Sequence, residues 1–106
     1  MDVIESVYRL TEKFPNGERY GLISQMRRAA VSVASNVAEG AARKGSQEKI
    51  QFLTLARSSL SELDAQLEIS VRIGFLNEND YQKIDESLDE ISRMLQGLIQ
   101  SCRKNT

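Results

Sequence analysis

The sequence has no histidine and no tryptophan, and only one cysteine and one proline among 106 residues. Without histidine there is no serine–histidine nucleophile pair, no commonplace general base at neutral pH, and no Glu-x-x-His arm for a di-iron site inside a helical bundle. Three tyrosines and three phenylalanines without a tryptophan leave no obvious platform for stacking nucleic-acid bases. The lone Cys102 cannot form an intrachain disulfide, which suits a reducing compartment, and it reads as a small core hydrophobe near a helix end. No apolar run approaches the roughly 20 residues needed to cross a bilayer, and "MDVIESVYRL" lacks the basic-then-apolar layout of a signal peptide. The expectation is a cytoplasmic protein with no membrane association, no metal and no cofactor.

A chain of this length makes one domain, spanning residues 1–106, with a single core. Its formal charge of −1 argues against coating nucleic acid by bulk electrostatics. The charge is unevenly spread. Residues 21–49 carry five basic side chains (Arg27, Arg28, Arg43, Lys44, Lys49) against Glu39 and Glu48, whereas residues 74–106 carry four basic against six acidic.

Punctuation divides the chain into four helices, at about 2–14, 19 or 22 to 44, 46–73 and 78–103. Phe14-Pro15-Asn16-Gly17 ends the first, because proline disfavours a helical residue before it and Asn-Gly suits a turn. Lys44-Gly45-Ser46 reads as a basic last turn, a left-handed cap and a new N-cap, and Gly74-Phe75 repeats the cap before Asn77-Glu78-Asn79-Asp80. Leu53, Ala56, Leu60, Leu63, Leu67, Ser70 and Gly74 form a stripe at steps of three and four. Tyr81, Ile84, Leu88, Ile91, Leu95, Leu98 and Cys102 form another, so the last two helices are expected to pack as a long antiparallel hairpin. No strand alternation competes. The fold expected is all-α, an up-and-down four-helix bundle with a short first helix.

At 1.5 Å per residue the last two helices span roughly 40 Å and the first only roughly 20 Å. One end of the bundle then lacks its fourth wall, and Phe52, Leu53 or Leu98 would stand partly bare unless another copy of the chain covers them. Homo-oligomerisation is therefore expected.

The second helix carries small apolar residues, Leu22, Met26, Ala29/Ala30, Val33, Val37 and Gly40/Ala41. Beside them runs a polar stripe of Gln25, Arg28, Ser32, Asn36, Glu39 and Arg43. Two stripes imply two neighbours, and mid-helix Gly40, costing roughly 1 kcal/mol against alanine, implies a close backbone approach.

These residues also carry a resemblance. "FPNGERYGLISQMRRAAVSVASNVAEGAARKGS" followed by "FLTLARSSLSELDAQLEISVRIGFL" resembles the four-helix-bundle proteins encoded in intervening sequences of bacterial 23S rRNA genes. Phe14, Pro15, Glu18, Tyr20, Gly21, Leu22, Gln25, Arg27, Arg28, Ala29, Ser32, Ser35, Asn36, Ala38, Glu39, Gly40 and Arg43 match that family's pattern, and the likeness runs from about Val7 to Leu98. The resemblance implies a left-handed bundle assembling into a homo-pentamer with a central channel. A related accessory protein of diversity-generating retroelements, similar in fold and strongly basic, binds nucleic acid and a reverse transcriptase. This chain departs from the pattern in having Ser58 where a glycine is common and a first helix that looks truncated.

Gln25, Arg28, Ser32, Asn36, Glu39 and Arg43 read as a buried polar network or subunit interface, with Asn36 and Glu39 bonded to Arg28, Arg43 or Gln25; a ligand site is the alternative. Arg27, Arg28, Arg43, Lys44 and Lys49 are candidates for phosphate contact, or else ordinary solvated charge. Glu62, Asp64 and Glu68 have spacings that could line a metal or acid–base site, but without histidine they read as an exposed acidic face or salt-bridge partners for the second helix. Tyr8, Tyr20 and Tyr81 read as core or interface aromatics. The functional expectation is a non-enzymatic oligomeric scaffold with RNA or DNA as partner; the alternative is a protein–protein adaptor without a nucleic-acid role.

Overall fold

The computed structural model describes residues 2–18 and 21–104. Helix α1 covers Asp2–Glu12, a short 3-10 turn covers Asn16–Glu18, and α2, α3 and α4 cover Leu22–Ala42, Ser46–Arg72 and Glu78–Lys104. Among the described residues there is no strand. Each helix packs on the one before it, α1 also touches α4, and most of the interhelical contact is α2 on α3 and α3 on α4. The result is an up-and-down bundle about 47 Å long and 24 × 18 Å across. Tyr20 lies outside the described residues.

The core follows the apolar stripes, with two shifts. On α3, Leu53, Ala56, Leu60, Leu63, Leu67 and Ser70 are buried, and Gln66 joins them. On α4 the buried set is Ile84, Leu88, Leu95 and Ile99, while Leu98, on the stripe but also expected to stand partly bare at the open end, is 43% exposed. A straight helix drifts about 20° per heptad from a 3.5-residue stripe, which rotates Ile99 inward. Leu98 then faces the side of α4 on which α1 lies further down, beyond the end of that short helix. On α2, Ile23 is buried with Met26, Ala29, Ala30, Val33 and Gly40, whereas Leu22 and Val37 are half-buried and Ala41 is exposed. Of the residues expected to be bare at the open end, Leu53 is buried and Phe52 half-buried.

The two interhelical links differ in kind. After α3, Gly74 adopts φ +86°, the left-handed conformation that spares glycine a Cβ clash. Ser70 O accepts the N–H groups of Phe75 (2.9 Å) and Leu76 (3.2 Å) there, and the Phe75 ring tilts against Phe14 at 5.6 Å. Asn77 then caps α4: its Oδ1 accepts the Asp80 N–H at 2.8 Å while its amide donates to the Asp80 carboxylate at 3.1 Å. The expected left-handed cap at Gly45 is absent. Arg43 leaves α2 in an extended conformation, and Gly45 is extended too (φ −84°, ψ 140°), so two ordinary backbone conformations make the turn.

Gly74→Ala should lower stability by about 1 kcal/mol, because it forces a Cβ into the left-handed region. Gly97→Ala, on an exposed stretch of α4 where an added Cβ meets nothing within 4 Å, should raise it by roughly 0.5–1 kcal/mol. Urea unfolding followed by circular dichroism checks both signs.

Candidate functional site

The polar stripe of α2 resolves into two separate clusters. In the first, Asn36 donates from Nδ2 to Ser32 O (2.9 Å) and Ser32 Oγ (3.1 Å), and Ser32 Oγ pairs with Ser59 Oγ of α3 at 2.8 Å. Asn36 thus bonds one turn back on its own helix rather than to Gln25, Arg28 or Arg43. Ser59, its indirect partner on α3, was not singled out in the sequence; the legible signal was a Ser58-Ser59 pair interrupting apolar α3 opposite a small-residue stripe. Gln25, Arg28 and Ser32 line a groove of about 310 Å³ between α2 and α3, with Ser59 and Glu62 on its far wall.

The second cluster closes the end of the α2–α3 hairpin. A Cβ at Gly40 would come within 3.3 Å of Phe52 Cβ, so this glycine lets α3 lie close against α2. The Arg43 guanidinium sits 4.9 Å above the Phe52 ring. It is paired with Glu39 at 2.8 Å, and its Nε stands 4.0 Å from Glu48. Lys49 Nζ reaches Ala41 O at 3.5 Å, where a cation complements the carbonyl end of a helix. Lys44 is exposed.

The remaining two arginines stand at the other end of α2, fifteen residues from Arg43 and so roughly 22 Å away. Arg27 lies over the exposed Tyr8 ring at 4.4 Å and donates from Nε to Thr11 Oγ1 at 2.9 Å. Thr11 is 1% exposed and donates in turn to Val7 O at 2.8 Å, so its buried hydroxyl is fully used. Arg28 is exposed and makes no ion pair or hydrogen bond among the described residues. Among the described residues, Arg43 alone of the five basic candidates has a carboxylate partner.

The acidic residues of α3 do not serve α2 as a group. Glu62 accepts a hydrogen bond from Gln66 Nε2 at 3.2 Å. Asp64 and Glu68 turn to α4, where the Tyr81 hydroxyl lies 3.3 Å from Asp64 Oδ1 and 3.2 Å from Glu68 Oε1. Burial, a hydrogen bond with Asp85 and the Asp85 charge raise the Asp64 pKa above its usual 3.8, opposed by the Tyr81 hydrogen bond. Burial and the surrounding carboxylates of Asp64, Asp85 and Glu68 likewise raise that of Tyr81. Among the described residues no three acidic, cysteine or histidine side chains are grouped to hold a metal ion, and no helix is long and apolar enough to cross a membrane. Cys102 is half-buried against the core.

Because folded Asp64 holds its proton to higher pH than the unfolded chain does, its contribution favours the fold below about pH 4 and is lost as pH rises through the raised value. Asp64→Asn should therefore stabilise the protein at pH 7 and flatten the fall in stability between pH 4 and 7. Urea titrations across that range check it; a less stable variant at pH 7 would contradict the assignment.

The shape has a solved counterpart. A crystal structure of a protein of unknown function from the S23 ribosomal protein family of Bacteroides thetaiotaomicron superposes with a TM-score of 0.79. The alignment covers 92% of this chain and 94% of that one at 22% identity, a likeness of fold. Among curated proteins no sequence matches this one. The model of one family matches residues 1–97, nearly the full length and including the whole of α2 and α3, and the chain belongs to that family, the 23S rRNA-intervening sequence proteins.

Proposed function

We propose that the protein is a non-enzymatic, homo-oligomeric scaffold of the cytosol whose α2 presents cations to RNA or DNA. The observation that carries this reading is that Arg27, Arg28, Lys44 and Lys49 have no carboxylate partner among the described residues, while Asp64 and Glu68 of α3 are engaged by Tyr81 of α4. A chain of near-zero net charge thereby keeps a basic flank. The family's name ties its members to a 23S rRNA intervening sequence, in keeping with an RNA partner.

Assembly is supported by the surface. Leu55, Ile69, Ile73, Met94 and Leu98 are each 43–51% exposed, apolar surface that another copy of the chain can cover. By resemblance the assembly is a pentamer. Repeating the basic flank around a ring multiplies a modest local charge into a potential that concentrates phosphate. The same apolar side chains favour the second reading, an adaptor that docks a protein partner and no nucleic acid. Non-enzymatic action is in keeping with the absence of histidine and with the use of the acidic cluster in interhelical hydrogen bonds.

Sedimentation velocity at micromolar concentration should show a species several times the 11.9 kDa chain mass. That species should retain RNA at low ionic strength and release it steeply as salt is added. A monomer would remove the scaffold; an oligomer without salt-sensitive retention would leave the adaptor.

A further inference from the structure

Four surface grooves of the bundle differ in the charges that line them. Three contain carboxylates: Glu62 between α2 and α3, Asp64, Asp85 and Asp89 between α3 and α4, and Asp80 between α1 and α4. The fourth, between α1 and α2, has a volume of about 620 Å³ and no carboxylate among its described lining residues. It holds two guanidiniums, Arg27 and Arg28, with the hydroxyls of Ser24, Ser32 and Ser35 and the apolar surfaces of Tyr8 and Val31.

Arg27 is fixed before any ligand arrives. Its Nε is committed to Thr11 at 2.9 Å and its guanidinium carbon lies 4.4 Å over the Tyr8 ring, while its Nη groups make no hydrogen bond among the described residues. A stacked arginine of this kind offers a planar face to an unpaired base and N–H donors to a phosphate. The Arg43–Phe52 pair at the other end of α2 has the same stacked form, but Glu39 and Glu48 neutralise it. Among the described residues, the α1–α2 groove is where stacking coincides with positive charge that has no carboxylate partner.

We infer that the α1–α2 groove is a binding site for single-stranded nucleic acid, which lays its phosphodiester on Arg27 and Arg28 and an unpaired base on the Tyr8–Arg27 stack. The inference rests on the nucleic-acid reading above and narrows it to one place and one strandedness. A duplex keeps its bases stacked on one another and can offer the groove only phosphate. An acidic peptide supplies charge but no large planar group to extend the stack, so the observations favour the single strand.

The test is fluorescence anisotropy with a labelled 12-residue oligouridylate at about 50 mM salt, on the full chain. Arg28→Ala and Tyr8→Leu should each weaken binding about tenfold, the loss expected from one phosphate contact or one base stack. Tyr8→Phe should retain binding, and Lys44→Ala with Lys49→Ala should change it less than twofold; melting temperatures confirm that each variant folds. A duplex of equal length should bind more weakly than the single strand. Loss only in the Lys44/Lys49 variant overturns the groove and leaves the broader reading standing. No binding by the wild-type chain overturns both. Loss in Arg28→Ala without loss in Tyr8→Leu, or displacement of the oligonucleotide by an equal charge of polyglutamate, overturns the base-stacking site.

Discussion

Everything in this bundle follows from how closely α2 can approach α3. The approach is set by size: Ala29, Ala30, Val33 and Gly40 are buried on α2 against Leu53, Ala56, Leu60 and Leu63 on α3. Small against large fills the space between the two helices without voids. At Gly40 the fit leaves no slack, since even a methyl group would press on Phe52 Cβ at 3.3 Å. With the helices that near, the hydroxyls of Ser32 and Ser59 meet at 2.8 Å and Arg43 can cover Phe52. The polar residues that interrupt α2 are thus consequences of close packing, and they leave its two ends to carry different charge.

Much of the fold could be read from the chain because its rules are local. Pro15, Gly74 and Asn77 fix helix ends through backbone conformation and capping, and these acted where the sequence placed them. The α3 stripe was legible because α3 packs against both α2 and α4 and so keeps one constant inner face. Leu98 lies on the α4 stripe yet is exposed, as the unequal helix lengths led one to expect, because its neighbour α1 runs out. Gly45 misled: its flexibility was available, but the close-packed hairpin needs only extended residues to turn.

The candidate site was legible in composition and not in geometry. That Arg27, Arg28, Arg43, Lys44 and Lys49 form the basic segment is plain from the chain. That Arg43 alone among them is neutralised by described residues depends on Glu39 lying one turn away and Glu48 lying across the link. Aromatic scarcity argued against a base-stacking platform, and the contact of Arg27 with Tyr8, nineteen residues apart, could not be read from composition at all. Similarly, Asp64 and Glu68 read as partners for a basic helix until Tyr81 on α4 drew them away. For Arg27, Asp64 and Glu68 the deciding partner comes from a different helix, where periodicity carries no information.

The link between α2 and α3 is only three residues long, Arg43 to Gly45, and it joins the two helices that share the most contact. Closing so short a loop costs little chain entropy, and the contacts it gains are near in sequence. A short link and near contacts favour early pairing of α2 with α3. Short α1 shares far less contact with the rest of the bundle, and it supplies one wall of the α1–α2 groove, so that groove is lost wherever α1 detaches.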